Sequence, residues 1–258
     1  MIKVTNFEYE LIRFPAGEPH VRITKAPKMG DINWFAIDLD FESVEEIFIV
    51  LLLVDAIKRL GFKSHTLSIS YMPFGRQDRV AVKGECFSLK VFADLINSCG
   101  FECVILYDPH SDVAPALINN AVVVTQAEIF NSTIRELSPP NKKAWIISPD
   151  GGALKKIYKL PIHETNGVIE CSKIRDVKTG DITGVRVNHP GLLAGQTCII
   201  VDDICDGGRT FTEIAKVLKE QFHAERIMLC VTHGLFTKGI EVFNGLIDEI
   251  YTMNGKAK

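Results

Sequence analysis

The sequence has no long apolar run, no marked excess of charge and no Cys-x-x-Cys pair, and each absence excludes a class of protein. The longest apolar run, residues 47–54, is far shorter than the about 20 residues that a membrane-spanning helix requires. A formal net charge of −3 over 258 residues gives no indication of a basic face for nucleic acid. We therefore expect a protein that binds neither membranes nor nucleic acid.

The seven cysteines are odd in number, lack metal-site or redox spacing and mostly lie in apolar runs. This pattern is typical of reduced core thiols in a reducing compartment. The first ten residues are polar and alternating, unlike the apolar stretch of a secretory signal. With 47% hydrophobic residues the chain can bury a large core, so we expect a soluble cytoplasmic protein.

Apolar runs of strand length alternate with segments of helical periodicity along the chain. A helix is predicted for residues 47–60, after capping-box spacing between Ser43 and Glu46. The repeated βα order predicts an α/β protein of two halves, 1–138 and 139–258, each a mostly parallel sheet flanked by helices. The other predicted strands are residues 66–70, 103–107, 121–125, 144–149, 167–174, 197–204, 227–232 and 248–253, and the other predicted helices are 87–98, 127–137, 152–160, 210–221 and 236–244.

Residues 200–212 form the most informative pattern: an apolar strand ends in Asp202 and Asp203, and a glycine-rich turn then enters an amphipathic helix. Gly207 and Gly208 let the backbone close on a ligand, so that N–H groups of the turn and helix can face a phosphate dianion. The carboxylates suit ribose hydroxyls or Mg²⁺ instead. Together these features predict a site for a sugar phosphate.

The stretch, whose loop also contains Asp206, Arg209 and Thr210, resembles the phosphoribosyl-pyrophosphate loop shared by type I phosphoribosyltransferases and ribose-phosphate pyrophosphokinases. Transferases use this loop to hold the diphosphorylated sugar and displace its diphosphate. The pyrophosphokinases hold ribose 5-phosphate there and install the diphosphate from ATP. The loop alone leaves both possibilities open.

Residues 71–79, Tyr-Met-Pro-Phe-Gly-Arg-Gln-Asp-Arg, distinguish the two families. They follow a predicted strand, and Arg76 and Arg79 are spaced so that two guanidinium groups can converge on one polyanion. The stretch resembles the ATP-binding signature of ribose-phosphate pyrophosphokinases, which simple phosphoribosyltransferases lack. This resemblance implies that ATP is bound by Arg76, Gln77, Asp78 and Arg79.

Shorter segments in the family's own order extend the resemblance over about residues 10–255; they are residues 13–18, 108–110, 148–152, 173–175 and 230–233. The first segment implies that Phe14 lies against the adenine of ATP and that Glu18 also binds ATP. The resemblance further implies that both halves are similar domains of the type I phosphoribosyltransferase kind, with the ATP-binding loop in the first and the ribose-phosphate loop in the second.

Three further polar residues follow predicted strands, where open α/β sheets bind ligands: Asp108, His110 and Asp150. Carboxylate oxygen is a good Mg²⁺ ligand, whereas imidazole is an uncommon one. By itself Asp150 could equally be a helix cap, and His110 could equally be a histidine at a helix start. The resemblance implies that all three handle the metal and phosphates, and that His110 is catalytic.

Lys173 and Arg175 are two positions apart, so an extended strand points both to one face. A turn in residues 178–184 predicts a hairpin flap beside them. The resemblance implies that these two cations neutralise the charge that develops on the diphosphate during transfer.

The chain departs from the family at Ala16, where Asp is usual, and at Gly207 and Arg209, where Thr and Gly are usual. Arg209 adds a cation where ribose 5-phosphate would end; it could hold the monophosphate, point to solvent or meet the second phosphate of a larger acceptor. The segments 206–208 and 232–234 resemble a short divergent branch of the family, found in phages and some bacteria. Members of this branch implicated in NAD rebuilding diphosphorylate the free ribose of ADP-ribose. The acceptor therefore stays open.

We predict a Mg²⁺-dependent enzyme that transfers the β,γ-diphosphate of ATP to the anomeric hydroxyl of ribose 5-phosphate. The alternative is the same chemistry on ADP-ribose. Rival classes are a phosphoribosyltransferase and a non-catalytic regulator associated with pyrophosphokinases. The resemblance also implies a homodimer or a higher homo-oligomer.

Overall fold

The structure, a computed structural model, describes residues 1–28, 30–32, 34–175, 182–188 and 193–257. The chain forms two compact units, Met1–Val124 and Thr125–Lys258. Each unit has its own sheet and its own apolar core.

The first unit is an α/β unit with a mostly parallel sheet. Its strands are β1 (Ile2–Val4), β2 (Glu8–Arg13), β3 (Pro19–Lys25), β4 (Trp34–Leu39), β5 (Ser64–Ile69), β6 (Cys103–Tyr107) and β7 (Ala121–Val124), and its helices are α1 (Glu45–Arg59), α2 (Ser88–Ser98) and α3 (Val113–Leu117). Five strands lie in the order β1-β4-β5-β6-β7, with β1 antiparallel and the others parallel. Strands β2 and β3 form a separate antiparallel hairpin.

Helix α1 shows how the apolar pattern builds the first core. Its buried residues are spaced three or four apart and include Val50, Leu53 and Ile57. The helix starts at Glu45, two residues before the predicted position, and the predicted capping box forms only in part. Glu46 Oε2 accepts the Ser43 N–H at 3.3 Å, but no side chain caps the helix start.

The second unit is built on a seven-stranded sheet in the order β10-β9-β8-β11-β12-β13-β14. Its strands are β8 (Trp145–Ser148), β9 (Val168–Arg175), β10 (Ile182–Val187), β11 (Thr197–Cys205), β12 (Arg226–Gly234), β13 (Glu249–Thr252) and β14 (Gly255–Lys256). Its α-helices are α4 (Gln126–Leu137), α5 (Leu154–Ile157) and α6 (Arg209–Lys216), and α6 continues as a π-helical segment, Val217–Gln221. The five central strands are parallel, while β10 and β14 are antiparallel at the two edges.

Strand β11 is the buried centre of this sheet. Cys198 and Ile200 pack into one apolar cluster, whereas Ile199 and Val201 pack into the other. Because successive strand side chains point to opposite faces, both faces are covered, and this accounts for the continuous apolar run in the sequence. The acidic pair begins where this run ends.

The boundary between the units lies at Thr125, earlier than the sequence analysis expects, because α4 packs on the second sheet rather than the first. Phe130 and Ile134 of α4 lie in the apolar cluster that contains Ile199. A complete capping box starts this helix: Glu128 N–H donates to Thr125 Oγ1 at 3.3 Å, and Thr125 N–H donates to Glu128 Oε2 at 2.7 Å.

The predicted hairpin of the second half forms from β9 and β10, which pair from Cys171–Val187 to Arg175–Ile182. Its connecting residues 176–181 lie outside the described residues.

Two predicted helices are shorter than expected. Helix α5 has only four residues, and Pro161 follows soon after it; residues 236–244 contain a 3₁₀ helix, Ile240–Phe243, between two glycines with positive φ.

All seven cysteines are free thiols, and five of them are buried. Burial raises the pKa of Cys171 and Cys198 to about 12, so these thiols stay protonated near neutral pH and are poor nucleophiles. In the described parts of the chain, no helix has both the length and the apolar character needed to cross a membrane.

Candidate active site

The carboxyl end of β11 carries two acidic side chains that are held by different partners. The Asp203 N–H donates to Asp202 Oδ1 at 2.9 Å. Lys156 of α5 donates through Nζ to Asp203 Oδ2 at 2.9 Å. Asp203 is 7% exposed, so its carboxylate meets an internal cation with little solvent around it.

Asp202 lies beside two other carboxylates, those of Asp203 and Asp150. The pKa of Asp202 is raised to about 8. Burial of the carboxyl group is the largest cause, and the neighbouring carboxylates of Asp203 and Asp150 contribute to the same rise. Asp150 follows β8, the parallel neighbour of β11, so two adjacent strand ends bring three carboxylates near one another. A divalent cation or a set of donors would offset this repulsion.

Asp150 also shapes the turn into α5. Its Oδ1 accepts the N–H of Gly152 at 3.0 Å and the N–H of Ala153 at 3.3 Å. Ser148 Oγ donates to the Asp150 carbonyl oxygen at 2.7 Å. Asp150 therefore forms a turn ahead of α5, whose N-cap residue is Ala153 and which has no side-chain cap hydrogen bond, and its carboxylate also raises the pKa of Asp202.

Gln126 makes a contact with the end of β11 that the sequence analysis missed. It is 2% exposed, and its Nε2 donates to the carbonyl oxygen of Asp202 at 2.7 Å. Its Oε1 is buried without a hydrogen-bond partner among the described residues. An orphaned acceptor costs about 1–3 kcal/mol, and such a cost is more typical of a functional site than of a site optimised for stability.

The loop after β11 enters α6 through Gly208, which adopts φ +77° and is the N-cap residue of the helix. Its carbonyl oxygen accepts the N–H groups of Phe211 and Thr212, both at 3.0 Å. A Cβ at Gly208 would lie 2.6 Å from Phe243 Cζ, so this position requires glycine both for its backbone and for its space. The positive end of the helix dipole at this turn favours an anion such as phosphate.

A second segment, residues 235–238 after β12, packs against this loop. Thr237 Oγ1 donates to Asp206 Oδ1 at 2.7 Å. The stem of the exposed Lys238 covers Gly207, since its Cδ lies 3.4 Å from the position that a Gly207 Cβ would take. Sequence reasoning missed this segment because it lies after residues 230–233, the last of the segments that resemble the family, and because its residues form no motif.

In the first unit, residues 71–79 follow β5, and His110 follows the neighbouring parallel strand β6. The structure brings these two loops together: a Cβ at Gly75 would lie 3.6 Å from His110 Cβ. Phe74, at φ +60°, anchors the first loop by packing against Phe92, with ring centroids 6.0 Å apart.

The predicted ATP-binding polar residues of this loop differ in exposure. Arg76 and Gln77 are exposed. Arg79 is exposed as well, with its Nε 3.7 Å from Oδ1 of the partly buried Asp78. The guanidinium groups are therefore on the surface of the unit, where a polyanion can reach them.

Asp108 is buried at the end of β6 with φ +39°, an uncommon conformation for a residue other than glycine. Its N–H donates to the Val124 carbonyl oxygen at 2.8 Å. Backbone strain of this kind clusters at binding and catalytic sites.

Phe14 and Glu18 lie on the turn of the β2–β3 hairpin, where the Phe14 N–H donates to the Glu18 carbonyl oxygen at 3.0 Å. Phe14 is 51% exposed, which leaves its ring accessible to a flat ligand. Lys173 and Arg175 lie in β9, within the hairpin of the second unit, but their side chains fall outside the described residues.

Within the described ranges, no three His, Cys, Asp or Glu side chains are grouped closely enough to hold a metal ion. Of the three residues predicted to bind metal, Asp108 and His110 lie in the first unit and Asp150 lies in the second. Mg²⁺ commonly takes only one or two protein carboxylates and completes its shell with water and substrate phosphates, so a dedicated protein cluster is not required.

The fold and the glycine-capped loop define a phosphoribosyltransferase-like α/β protein of two units. Residues 1–100 match the family model for the N-terminal domain of ribose phosphate pyrophosphokinase, and residues 149–242 match that for the phosphoribosyl transferase domain. The ribose-phosphate pyrophosphokinase of Mycoplasma pneumoniae is 30% identical over 249 residues, which cover 93% of this chain and 74% of the relative. That of Thermococcus kodakarensis is 29% identical over 250 residues, which cover 96% and 85%.

The crystal structure of phosphoribosylpyrophosphate synthetase from Mycobacterium smegmatis shares the fold, with a TM-score of 0.79 and 21% identity over 95% of this chain and 80% of that one. The chain belongs to the ribose-phosphate pyrophosphokinase family and is a diphosphotransferase. The family and the mostly parallel two-unit fold expected from the sequence are thereby confirmed.

Gly208→Ala should lower the free energy of unfolding of the second unit by at least about 2 kcal/mol, because the new Cβ would strain a left-handed backbone and overlap Phe243. Urea unfolding followed by Trp145 fluorescence in a Trp34→Phe background measures this. The matched control is Gly207→Ala, whose Cβ would make only ordinary contact with Lys238. Equal losses of unfolding free energy in both variants would show that Gly208 has no special requirement for glycine.

The raised pKa of Asp202 predicts a pH dependence of stability. Between the ordinary pKa of 3.8 and about 8, the folded protein retains a proton that the unfolded chain has lost, so this group lowers the free energy of unfolding as pH rises across that window. Asp202→Asn removes the effect. In Mg²⁺-free buffer, its stability relative to the parent should therefore grow from pH 5 to pH 8 and level off above.

The control for this series is Glu220→Gln, at an exposed position of the same unit. Its stability relative to the parent should stay constant over the same pH range. A relative stability of Asp202→Asn that falls as pH rises would show that the carboxylate of Asp202 is not destabilised in the folded state.

Proposed function

We propose that the protein transfers the β,γ-diphosphate of ATP to the anomeric hydroxyl of ribose 5-phosphate, giving phosphoribosyl pyrophosphate and AMP. The observation that carries this proposal is the acidic pair Asp202 and Asp203 directly before the glycine-capped start of α6. Membership of the pyrophosphokinase family and the ATP-type loop at residues 71–79 support an ATP-dependent reaction over a simple phosphoribosyl transfer.

The second unit would bind the ribose phosphate. Asp202 and Asp203 accept hydrogen bonds from the ribose hydroxyls, for which carboxylate oxygens are suited. The 5-phosphate is bound by the loop at the start of α6, where N–H groups and the helix dipole favour a dianion. The residues of this loop are Asp206, Gly207, Gly208, Arg209 and Thr210.

The first unit would bind ATP. Exposed Arg76 and Arg79 pair with its phosphates, with Gln77 and Asp78 between them. Phe14 and Glu18, on the turn of the hairpin, contact the adenosine. The exposed ring of Phe14 supports this role, because an exposed aromatic side chain is suited to stacking on a base.

Mg²⁺ fits the donors that the chain offers, since carboxylate oxygens at strand ends are hard ligands and Asp202 lies beside the carboxylates of Asp203 and Asp150. Asp150 would hold the ion in the second unit, and Asp108 with His110 would hold the ion carried by ATP in the first. When bound, Mg²⁺ neutralises phosphate charge and orients the diphosphate for in-line transfer.

In the transfer, the anomeric oxygen forms a bond to the β-phosphorus of ATP. The bond from that phosphorus to the α,β-bridging oxygen breaks, AMP leaves with this oxygen, and the hydroxyl proton is released. Lys173 and Arg175 offset the negative charge that develops on the transferred group, while His110 lies on the ATP side. No covalent enzyme intermediate is needed, because positioning and charge stabilisation are sufficient.

ADP-ribose is the second candidate acceptor, and two exposed cations at the phosphate loop support it. Arg209 and Lys238 are both exposed at this loop. An acceptor with a second phosphate and an adenosine beyond its 5-position would require additional positive charge there.

The product identifies the acceptor. ATP and Mg²⁺ are incubated with ribose 5-phosphate or ADP-ribose, and the products are analysed by mass spectrometry. We expect a diphosphate adduct of ribose 5-phosphate. An adduct of ADP-ribose alone would select the second candidate, and no adduct of either sugar would contradict the proposed function.

Lys173→Ala should lower kcat by at least about 100-fold with little change in ATP affinity, because a cation that acts on the developing charge contributes mainly to the transition state. Steady-state kinetics and ATP titration measure the two quantities. Lys159→Ala, at an exposed position of the same unit, is the control and should leave kcat unchanged. An unchanged kcat for Lys173→Ala would contradict the role.

A further inference from the structure

Lys156 makes an ion pair that the family motifs do not account for. It extends from α5, and its Nζ lies 2.9 Å from Asp203 Oδ2. The Lys156 side chain is 24% exposed and that of Asp203 is 9% exposed, so the pair lies largely beneath the surface. The two residues are 47 positions apart in sequence, and only the fold brings them together.

The ion pair is not required to hold β11 in place. The register of the strand is fixed by parallel pairing with β8 as far as Ile200 and with β12 as far as Cys205. A desolvated ion pair contributes little net stability, because the loss of hydration offsets much of the attraction. What the contact does fix is the orientation of the Asp203 carboxylate.

The surrounding contacts restrain the same strand end from a second direction. Gln126 Nε2 holds the Asp202 carbonyl oxygen at 2.7 Å, and the Asp203 N–H donates to Asp202 Oδ1. Side chains from α4 and α5 therefore restrain both the backbone and the carboxylate at this point. Restraint of this kind is what a binding group needs, because small displacements of a positioned group greatly reduce its effect.

Asp203 keeps the character of a hydrogen-bond acceptor in this pair. A carboxylate offers about four acceptor positions, and the ammonium donor takes one of those at Oδ2. The ammonium also balances the charge of Asp203 beside Asp202, so the two carboxylates differ in their electrostatic surroundings.

We infer that Lys156 is a positioning residue that holds the Asp203 carboxylate in the orientation in which it accepts ribose hydroxyls. This inference rests on the proposed function, because it takes Asp203 as a ribose-binding group. Lys156 itself is not expected to touch the sugar.

Calorimetric titration of the full-length protein with ribose 5-phosphate, and separately with ADP-ribose, tests the inference by binding alone. Lys156→Met keeps the apolar stem and removes the charge, and it should weaken binding of the sugar phosphate by about 10-fold or more. Lys156→Arg, which retains a cation, should restore affinity to within about 3-fold of the parent. Lys159→Met is the matched control and should bind as the parent does.

ATP affinity and melting temperature separate positioning from a structural role. We expect Lys156→Met to keep its ATP affinity and to lose sugar-phosphate affinity. Unchanged sugar-phosphate affinity, or equal losses of sugar-phosphate and ATP affinity that follow the melting temperature, would overturn the role of Lys156 and leave the proposed function intact. A parent protein that binds neither sugar phosphate would overturn the proposed function, and the inference with it.

Discussion

The placing of carboxylates at the end of a buried strand is the constraint on which the proposed site of the second unit depends. Burial first, and then the neighbouring carboxylates of Asp203 and Asp150, raise the pKa of Asp202. Lys156 Nζ lies 2.9 Å from Asp203 Oδ2. A metal ion or a hydroxyl-bearing substrate would stabilise these carboxylates further.

The same strand ends explain how one turn can suit both halves of a sugar phosphate. The carboxylates precede the turn and favour hydroxyls or a cation, while Gly208 places the start of α6 immediately after it and favours an anion. Opposite electrostatic preferences thus lie five positions apart in the chain, at Asp203 and at Gly208.

Local patterns were sufficient to predict much of this arrangement. The apolar run before Asp202 and the glycine turn after it are contiguous, so β11, the loop and α6 could be predicted from residues 200–212 alone. The hairpin formed by β9 and β10 was predictable for the same reason. The family followed from residues 71–79, because nine residues in register carry far more information than charge spacing alone.

Contacts between distant residues could not be predicted in this way. Gln126 reaches Asp202 across 76 positions, and Lys156 reaches Asp203 across 47, and neither residue belongs to a motif. The division of the chain into compact units at Thr125 could not be predicted for a related reason: α4 is amphipathic, but periodicity does not show which sheet its apolar face covers. Tertiary packing decides such questions, and a single sequence does not reveal it.

In the proposed reaction a diphosphate, rather than a single phosphate, is transferred from ATP. Phosphorus NMR of a reaction containing ATP, Mg²⁺ and the ribose acceptor distinguishes the two. We expect AMP and a 1-diphosphorylated ribose to appear in equal amounts, and neither to form without the acceptor. Formation of ADP with a monophosphorylated sugar, or release of AMP and free diphosphate independent of the acceptor, would contradict the proposed reaction.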